Sequence, residues 1–352
     1  MVRFTPPRRG RFILGAVVAL AFVAGPTAAG AMADPGAVYT QTNAPAGNVV
    51  QAFDRNAQGE LTPAGSFPTG GAGLASLGGR QGAVELSDDE SIVYAVNAGS
   101  NTVSAFRVTR NGLALERVVA SGGSAPTSID EDHGRVYVLN SAGTPNVTAF
   151  RAGALEPIGS RDLPGALGAA QVSVAPDGSA LVVSERLSNR LETLPLDPAG
   201  RPGAPVVTPS SGAVPFGFAF GHRDDLVVSE AGASTVSSYR LAGGLDLVTG
   251  SLPVGFGAAC WVAVSPNGTL AYTGNASGSI SGFAIGQDGS LSPIGATPTA
   301  APRDLDFSRN GRFLYAVSPS GRVTGYRVGS DGSLEQVTSV PAAAGITGAA
   351  AG

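Results

Sequence analysis

The sequence predicts an all-β fold, a seven-bladed β-propeller with four antiparallel strands per blade. Three observations carry this expectation. A strand-opening apolar pair recurs at Val38-Tyr39, Val93-Tyr94, Val136-Tyr137, Leu181-Val182, Leu226-Val227, Ala271-Tyr272 and Leu314-Tyr315, at a spacing of about 45 residues. Each copy ends in a small polar residue and a Gly/Ser/Asn loop. A second strand of period-2 alternation follows, such as Thr102-Val103-Ser104-Ala105-Phe106. Two families of hairpin turns punctuate the copies: Asp177-Gly178, Asn267-Gly268 and Asn310-Gly311 before the apolar pair, and Asn111-Gly112, Asp288-Gly289 and Asp331-Gly332 after the alternating strand. Both residues of such pairs tolerate the positive φ that two-residue hairpins require.

Residues 1–33 read as a secretory signal. Arg3, Arg8, Arg9 and Arg11 form its charged start, residues 12–24 its apolar stretch, and Ala31-Met32-Ala33 a small-x-small cleavage site that predicts Asp34 as the mature N-terminus. The Arg8-Arg9 pair leaves open whether export is by the general secretory or the twin-arginine route. The protein is therefore expected outside the cytoplasm, secreted or periplasmic. Residues 34–352 form one propeller domain of about 46 residues per repeat. No later run is apolar enough to span a membrane. All 22 basic residues are arginine, against 26 acids, and four of the arginines lie in the signal. This acidic balance excludes a nucleic-acid partner. One cysteine, Cys260, permits no internal disulfide, so the packed core alone must hold the fold.

The third copy shows the strands of one blade: residues 128–130, a turn at Asp132-His133-Gly134, then 135–140, 146–151 and 155–161. The third strands carry an aromatic slot at Phe53, Phe106, Phe150, Tyr239, Phe283 and Tyr326, with Leu194 in the fourth copy. These are read as packing between blades. The chain enters in the second strand of blade 1, at residues 37–42, so that blade lacks its innermost strand. The tail around Ile346-Thr347-Gly348 is expected to supply it and close the ring, leaving no free sheet edge. A Gly-rich insert over residues 70–79 is expected to form a mobile loop.

The available chemistry is narrow. Without lysine there is no Schiff base. The two histidines, His133 and His222, fall in turns on the face opposite the channel mouth and cannot serve a triad there. No cofactor and no metal are expected. The segments that enter the innermost strands are Arg80-Gln81, Ala170-Gln171, Pro215-Phe216, Cys260-Trp261 and Pro302-Arg303-Asp304. The strand-end slot holds Glu185 and Glu230 in neighbouring blades.

The phrase Ser265-Pro266-Asn267-Gly268 through Phe283, and residues 302–334, resemble the seven-bladed propeller lactonase family, which includes bacterial 6-phosphogluconolactonases and fungal carboxymuconate cyclases. The likeness extends over residues 34–352. It implies a site at the channel mouth. Where the family commonly has Gly-Pro-Arg-His, this chain has Ala301-Pro302-Arg303-Asp304, keeping the arginine and losing the histidine. Gly168-Ala169-Ala170-Gln171 also lacks the family's histidine. Ser184-Glu185 and Ser229-Glu230 match its Asn-Glu pair within one residue. The resemblance thus implies Arg303 as electrophile and Glu185 or Glu230 as base, and the place of Asp304, Trp261, Gln171, Arg80 and Phe216 at the entry to innermost strands makes them candidate substrate contacts. Two functions follow: a secreted hydrolase that opens or forms a small lactone, or a non-catalytic monomer that binds a small molecule or a cell-envelope ligand.

Overall fold

The computed structural model describes residues 1–3, 36–74, 80–221 and 225–352. Nearly all of the expected signal, the second half of the Gly-rich insert and His222 lie outside the described residues. Asp34–Gly352 form one compact unit. Its strands make seven four-stranded antiparallel sheets, each running from an innermost to an outermost strand in chain order except the one that closes the ring. We number the blades 1 to 7 from the N-terminus. The innermost strands of blades 2 to 7 are Val84–Leu86, Ser124–Asp132, Ala169–Val174, Pro215–Phe220, Ala259–Val264 and Asp304–Phe307.

Blade 1 is assembled from both ends of the domain. The C-terminal strand Thr347–Ala351 pairs antiparallel with Gly36–Gln41, with Tyr39 opposite Ala350 and Gln41 opposite Thr347. Arg55 clamps the end by donating from Nε and Nη2 to the Gly352 carbonyl, at 3.1 and 2.9 Å. The described half of the Gly-rich insert is pinned rather than free: the Asn43 amide exchanges hydrogen bonds with the Leu74 backbone at 2.8 and 3.0 Å. A Cβ on Gly73 would stand 2.1 Å from the Asn43 carbonyl carbon, so only glycine permits this approach.

The repeated sequence phrase has a physical reason in the seams between blades. The third-strand aromatic of each blade packs on the preceding blade: Phe53 on Tyr315 and Val317, Phe106 on Tyr39, Phe150 on Tyr94, and Tyr326 on Tyr272. The tyrosine of the recurrent pair faces the other way. Its hydroxyl reaches the outer turn of the next blade, Tyr137 donating to Gly200 O, Tyr272 to Gly332 O and Tyr315 to Gly59 O, at 3.2, 2.9 and 3.0 Å. The last of these joins blade 7 to blade 1. Blades 4 and 5 carry Val182 and Val227 at that slot, which pack without a hydroxyl; in the seam from blade 5 to blade 6 the Ser238 hydroxyl instead donates to Gly289 O at 2.7 Å.

Around the channel, carboxylates staple one innermost strand to the next. Asp130 accepts from Val174 N at 2.6 Å, Asp304 from Ala349 N at 3.1 Å, and Asp306 from Ala351 N at 2.7 Å. With Glu85 they face a cavity of about 310 Å³ in the channel. Burial pushes Asp130 and Asp306 up to about 7 and raises Glu85 and Asp304 well above the carboxylate range. The folded chain therefore holds protons that the unfolded chain, with aspartates near 3.8, has released. This contribution to stability is complete below about pH 4 and is lost as pH rises through 7. The melting temperature should accordingly rise when pH is lowered from 8 to 5, as followed by circular dichroism; a fall over that range would contradict these shifts.

Candidate functional site: an arginine-ringed channel mouth

A recurrent bulge builds the mouth. In blades 3, 4 and 6 the pairing of the innermost strand slips by one residue near its start, between Pro126 and Ser128, Ala169 and Gln171, and Ala259 and Trp261. In blade 5 the one-residue slip is spread over the stretch from Pro215 to Phe218. The residues freed from pairing are Thr127, Ala170, Phe216 with Gly217, and Cys260. Such bulges re-aim side chains that regular pairing would hold within the sheet. Left-handed backbone at Ala125, Gly168, Val214 and Ala258 starts these four strands.

Three guanidinium groups gather with this ring. Arg303, in the segment leading into blade 7, has Cζ 5.8 Å from the centre of the Trp261 ring. Arg186, just beyond the second strand of blade 4, has Cζ 5.2 Å from the centre of the Phe216 ring and donates to Gly168 O at 3.3 Å. Phe216 and Trp261 meet edge-on, with centroids 5.8 Å apart. Arg80 is 6% exposed, and its Nε has no partner among the described residues. Burial first, and then the charge of Arg186, lower the Arg80 guanidinium to about 10. Burial pushes the Cys260 thiol up to about 11 against the pull of Arg303 and Arg186, so it is no nucleophile at neutral pH.

None of the three arginines joins the ion pairs formed among the described residues, which use Arg107, Arg190, Arg201, Arg240, Arg309 and Arg327. Two further buried donors, Thr127 Oγ1 and Trp261 Nε1, are also without partners. A buried, uncompensated cation costs several kcal/mol, and unpaired buried donors cost about 1–3 kcal/mol each. This cluster is therefore complementary to an anion.

The structure brings Arg80, Arg303, Phe216 and Trp261 together, and it adds Arg186. It does not bring Glu185 or Glu230 to them. Both glutamates are fully buried within their blades. Glu185 is held by Arg190 at 2.7 Å and by the Ser188 hydroxyl. Arg190 also lies 2.8 Å from Glu192, whose carboxyl burial and the neighbouring Glu185 push up to about 7. Glu230 accepts from Gly212 N at 2.7 Å, from the Ser237 hydroxyl at 2.6 Å and from the Thr235 hydroxyl. They occupy the slot where, in blades 2 and 6, Asn97 and Asn275 donate to Ser104 and Ser281 on the adjacent third strand, each at 2.8 Å.

Gln171 and Asp304 are likewise engaged below the mouth. Gln171 exchanges hydrogen bonds with the Phe218 backbone at 2.7 and 2.8 Å. Gln81, entering from blade 2, spans the channel to blades 5 and 6, donating to Phe218 O at 3.1 Å and Val262 O at 2.6 Å. A Cβ on Gly217 would lie 2.1 Å from Gln81 Oε1, so glycine is required for the crossing. His133 sits in an exposed turn at the far end of blade 3, against Asp132. Among the described residues no group of His, Cys, Asp or Glu is arranged to hold a metal ion.

The model of the family described as "Lactonase, 7-bladed beta-propeller" matches residues 46–154, 145–255 and 252–347. The chain belongs to that family. Its structure is similar to that of a candidate 6-phosphogluconolactonase from Bacteroides fragilis, with a TM-score of 0.76 and 18% identity over 91% of this chain and 98% of that one. The periplasmic gluconolactonase PpgL of Pseudomonas aeruginosa aligns with a TM-score of 0.74 and 16% identity, over 90% and 98% of the two chains. No protein of curated function matches the sequence.

Proposed function

We propose that this chain is an exported member of the lactonase family whose arginine-ringed mouth binds a small lactone and the hydroxycarboxylate that corresponds to it. One observation carries this reading: Arg80, Arg186 and Arg303 converge without an acidic partner among the described residues, beside two unpaired buried donors. Planar guanidinium forks match a carboxylate, and they also match the oxyanion that develops when water adds to a lactone carbonyl. In ring opening the water oxygen bonds to the carbonyl carbon, the ring C–O bond breaks, and the ring oxygen leaves with a proton. The arginines take the carbonyl charge.

Glu185 and Glu230 are saturated inside their blades, so no described carboxylate stands free at the mouth as general base. That same observation favours a second reading, a binding module without turnover. Titrating base uptake on a panel of γ- and δ-lactones separates the two. For the hydrolase, kcat/KM should rise about tenfold per pH unit from 6 to 9, because hydroxide rather than a side chain supplies the nucleophile. A bell-shaped profile would reveal a side-chain base and refute this mechanism. Binding of a hydroxycarboxylate with no turnover of any lactone would establish the module. In either case Arg303→Lys, which keeps the charge but loses the fork, should weaken carboxylate binding by about 30-fold or more. Unchanged affinity in a folded variant would remove Arg303 from the site.

A further inference from the structure

The mouth is not uniformly polar. Its cations come from blades 2, 4 and 7, whereas blades 5 and 6 contribute an apolar floor. There Phe216, Cys260 and Trp261 form a hydrophobic cluster, and Ala231, Ala258 and Ala276 pack against it half-buried. Ala231 and Ala276 follow the second strands of blades 5 and 6, at the position where blade 4 has Arg186. A polyol would need hydrogen-bonding side chains at these positions, and none is there.

Exposed apolar residues stand in the loops next to this floor. Leu187, next to Arg186, is 67% exposed, and Leu167 is 58% exposed. They are not scattered, because Leu187 N donates to Leu167 O at 3.0 Å and joins their loops. Phe256, in the loop leading into blade 6, is also exposed. Among the described residues from 36 to 352, the other exposed large apolar residues lie on outermost strands, at Leu115, Val118, Val206, Val207, Leu247 and Ile294.

We infer that the ligand of this mouth is amphipathic, a carboxylate anion or the neutral acyl-substituted lactone that corresponds to it, whose aliphatic or aromatic body lies over blades 5 and 6 and the Leu187 rim. This rests on the anion-binding reading above and narrows it. The arginines hold the head group, and the body covers Leu187, Leu167 and Phe256, which otherwise face water. Covering such surface is worth about 0.8 kcal/mol per methylene at most, or about fourfold in affinity.

Calorimetry with the straight-chain carboxylates from butanoate to decanoate, and with gluconate, tests it. Affinity should climb two- to fourfold per methylene over the first several carbons, and gluconate should bind more weakly than hexanoate. Leu187→Ser and Phe256→Ser, both at exposed positions, should flatten the dependence on chain length. If butanoate, decanoate and gluconate bind alike, the amphipathic ligand is refuted and the anion site stands. If no carboxylate binds the folded protein at millimolar concentration, both readings fall.

Discussion

Removing residues 342–352 should lower the melting temperature by about 15 °C or more. The strand Thr347–Ala351 is the innermost strand of blade 1, and its loss opens the ring between blades 1 and 7. Ile346 leaves the core between those blades, forfeiting about 1.5–3 kcal/mol. The amides of Ala349 and Ala351 no longer meet Asp304 and Asp306, and Arg55 loses the Gly352 carbonyl, which leaves polar groups of the interior without partners. Each such broken partnership costs about 1–3 kcal/mol. The sum rivals the entire stability of a domain, about 5–15 kcal/mol. A differential scanning calorimetry trace within a few degrees of the intact protein would show that closure depends on other contacts.

Arg80→Met should have two opposite effects. Arg80 is buried, with an unpartnered Nε, and its charge is compensated by no described residue. An apolar side chain of similar volume removes that penalty, so the ligand-free protein should gain about 1–4 kcal/mol. Carboxylate binding should weaken by about 2–5 kcal/mol. A site that stores an unpaired charge for its ligand trades stability against function in this way. If Arg80→Met destabilises the free protein and leaves affinity unchanged, the arginine is a structural member of the seam to blade 1. Its backbone already takes part there through Thr347, whose Oγ1 accepts from Arg80 N at 2.8 Å.

The ring was readable from the sequence because its determinants repeat. Tyr137, Tyr272 and Tyr315 recur since each must reach a turn of the following blade, and the third-strand aromatics recur since each fills the preceding seam. Arg80, Phe216, Trp261 and Arg303 were found for a related reason, as each enters an innermost strand at an equivalent place. Arg186 was missed: it lies one residue past a strand end, and only its fold over Phe216 takes it to the mouth. The glutamates were expected at the mouth because strand ends point that way. Local partners hold them inside the blades instead, and signals were present five residues on, in Arg190 and in Thr235. Gln81 was placed at the entry to an innermost strand, but its crossing could not be read, because its partners at Phe218 and Val262 lie across the ring.

Gln81 crosses the channel with Gln171 beside it, and both line the acid-lined cavity, whose lining includes none of the three arginines. If the mouth turns over a lactone as proposed, the product would depart past the same guanidiniums that admitted its precursor. Ring opening turns a neutral ester into a carboxylate, so the departing species is held by those cations more firmly than the arriving one. Turnover would be paced by egress, and accumulated hydroxy acid would compete with fresh lactone for the mouth.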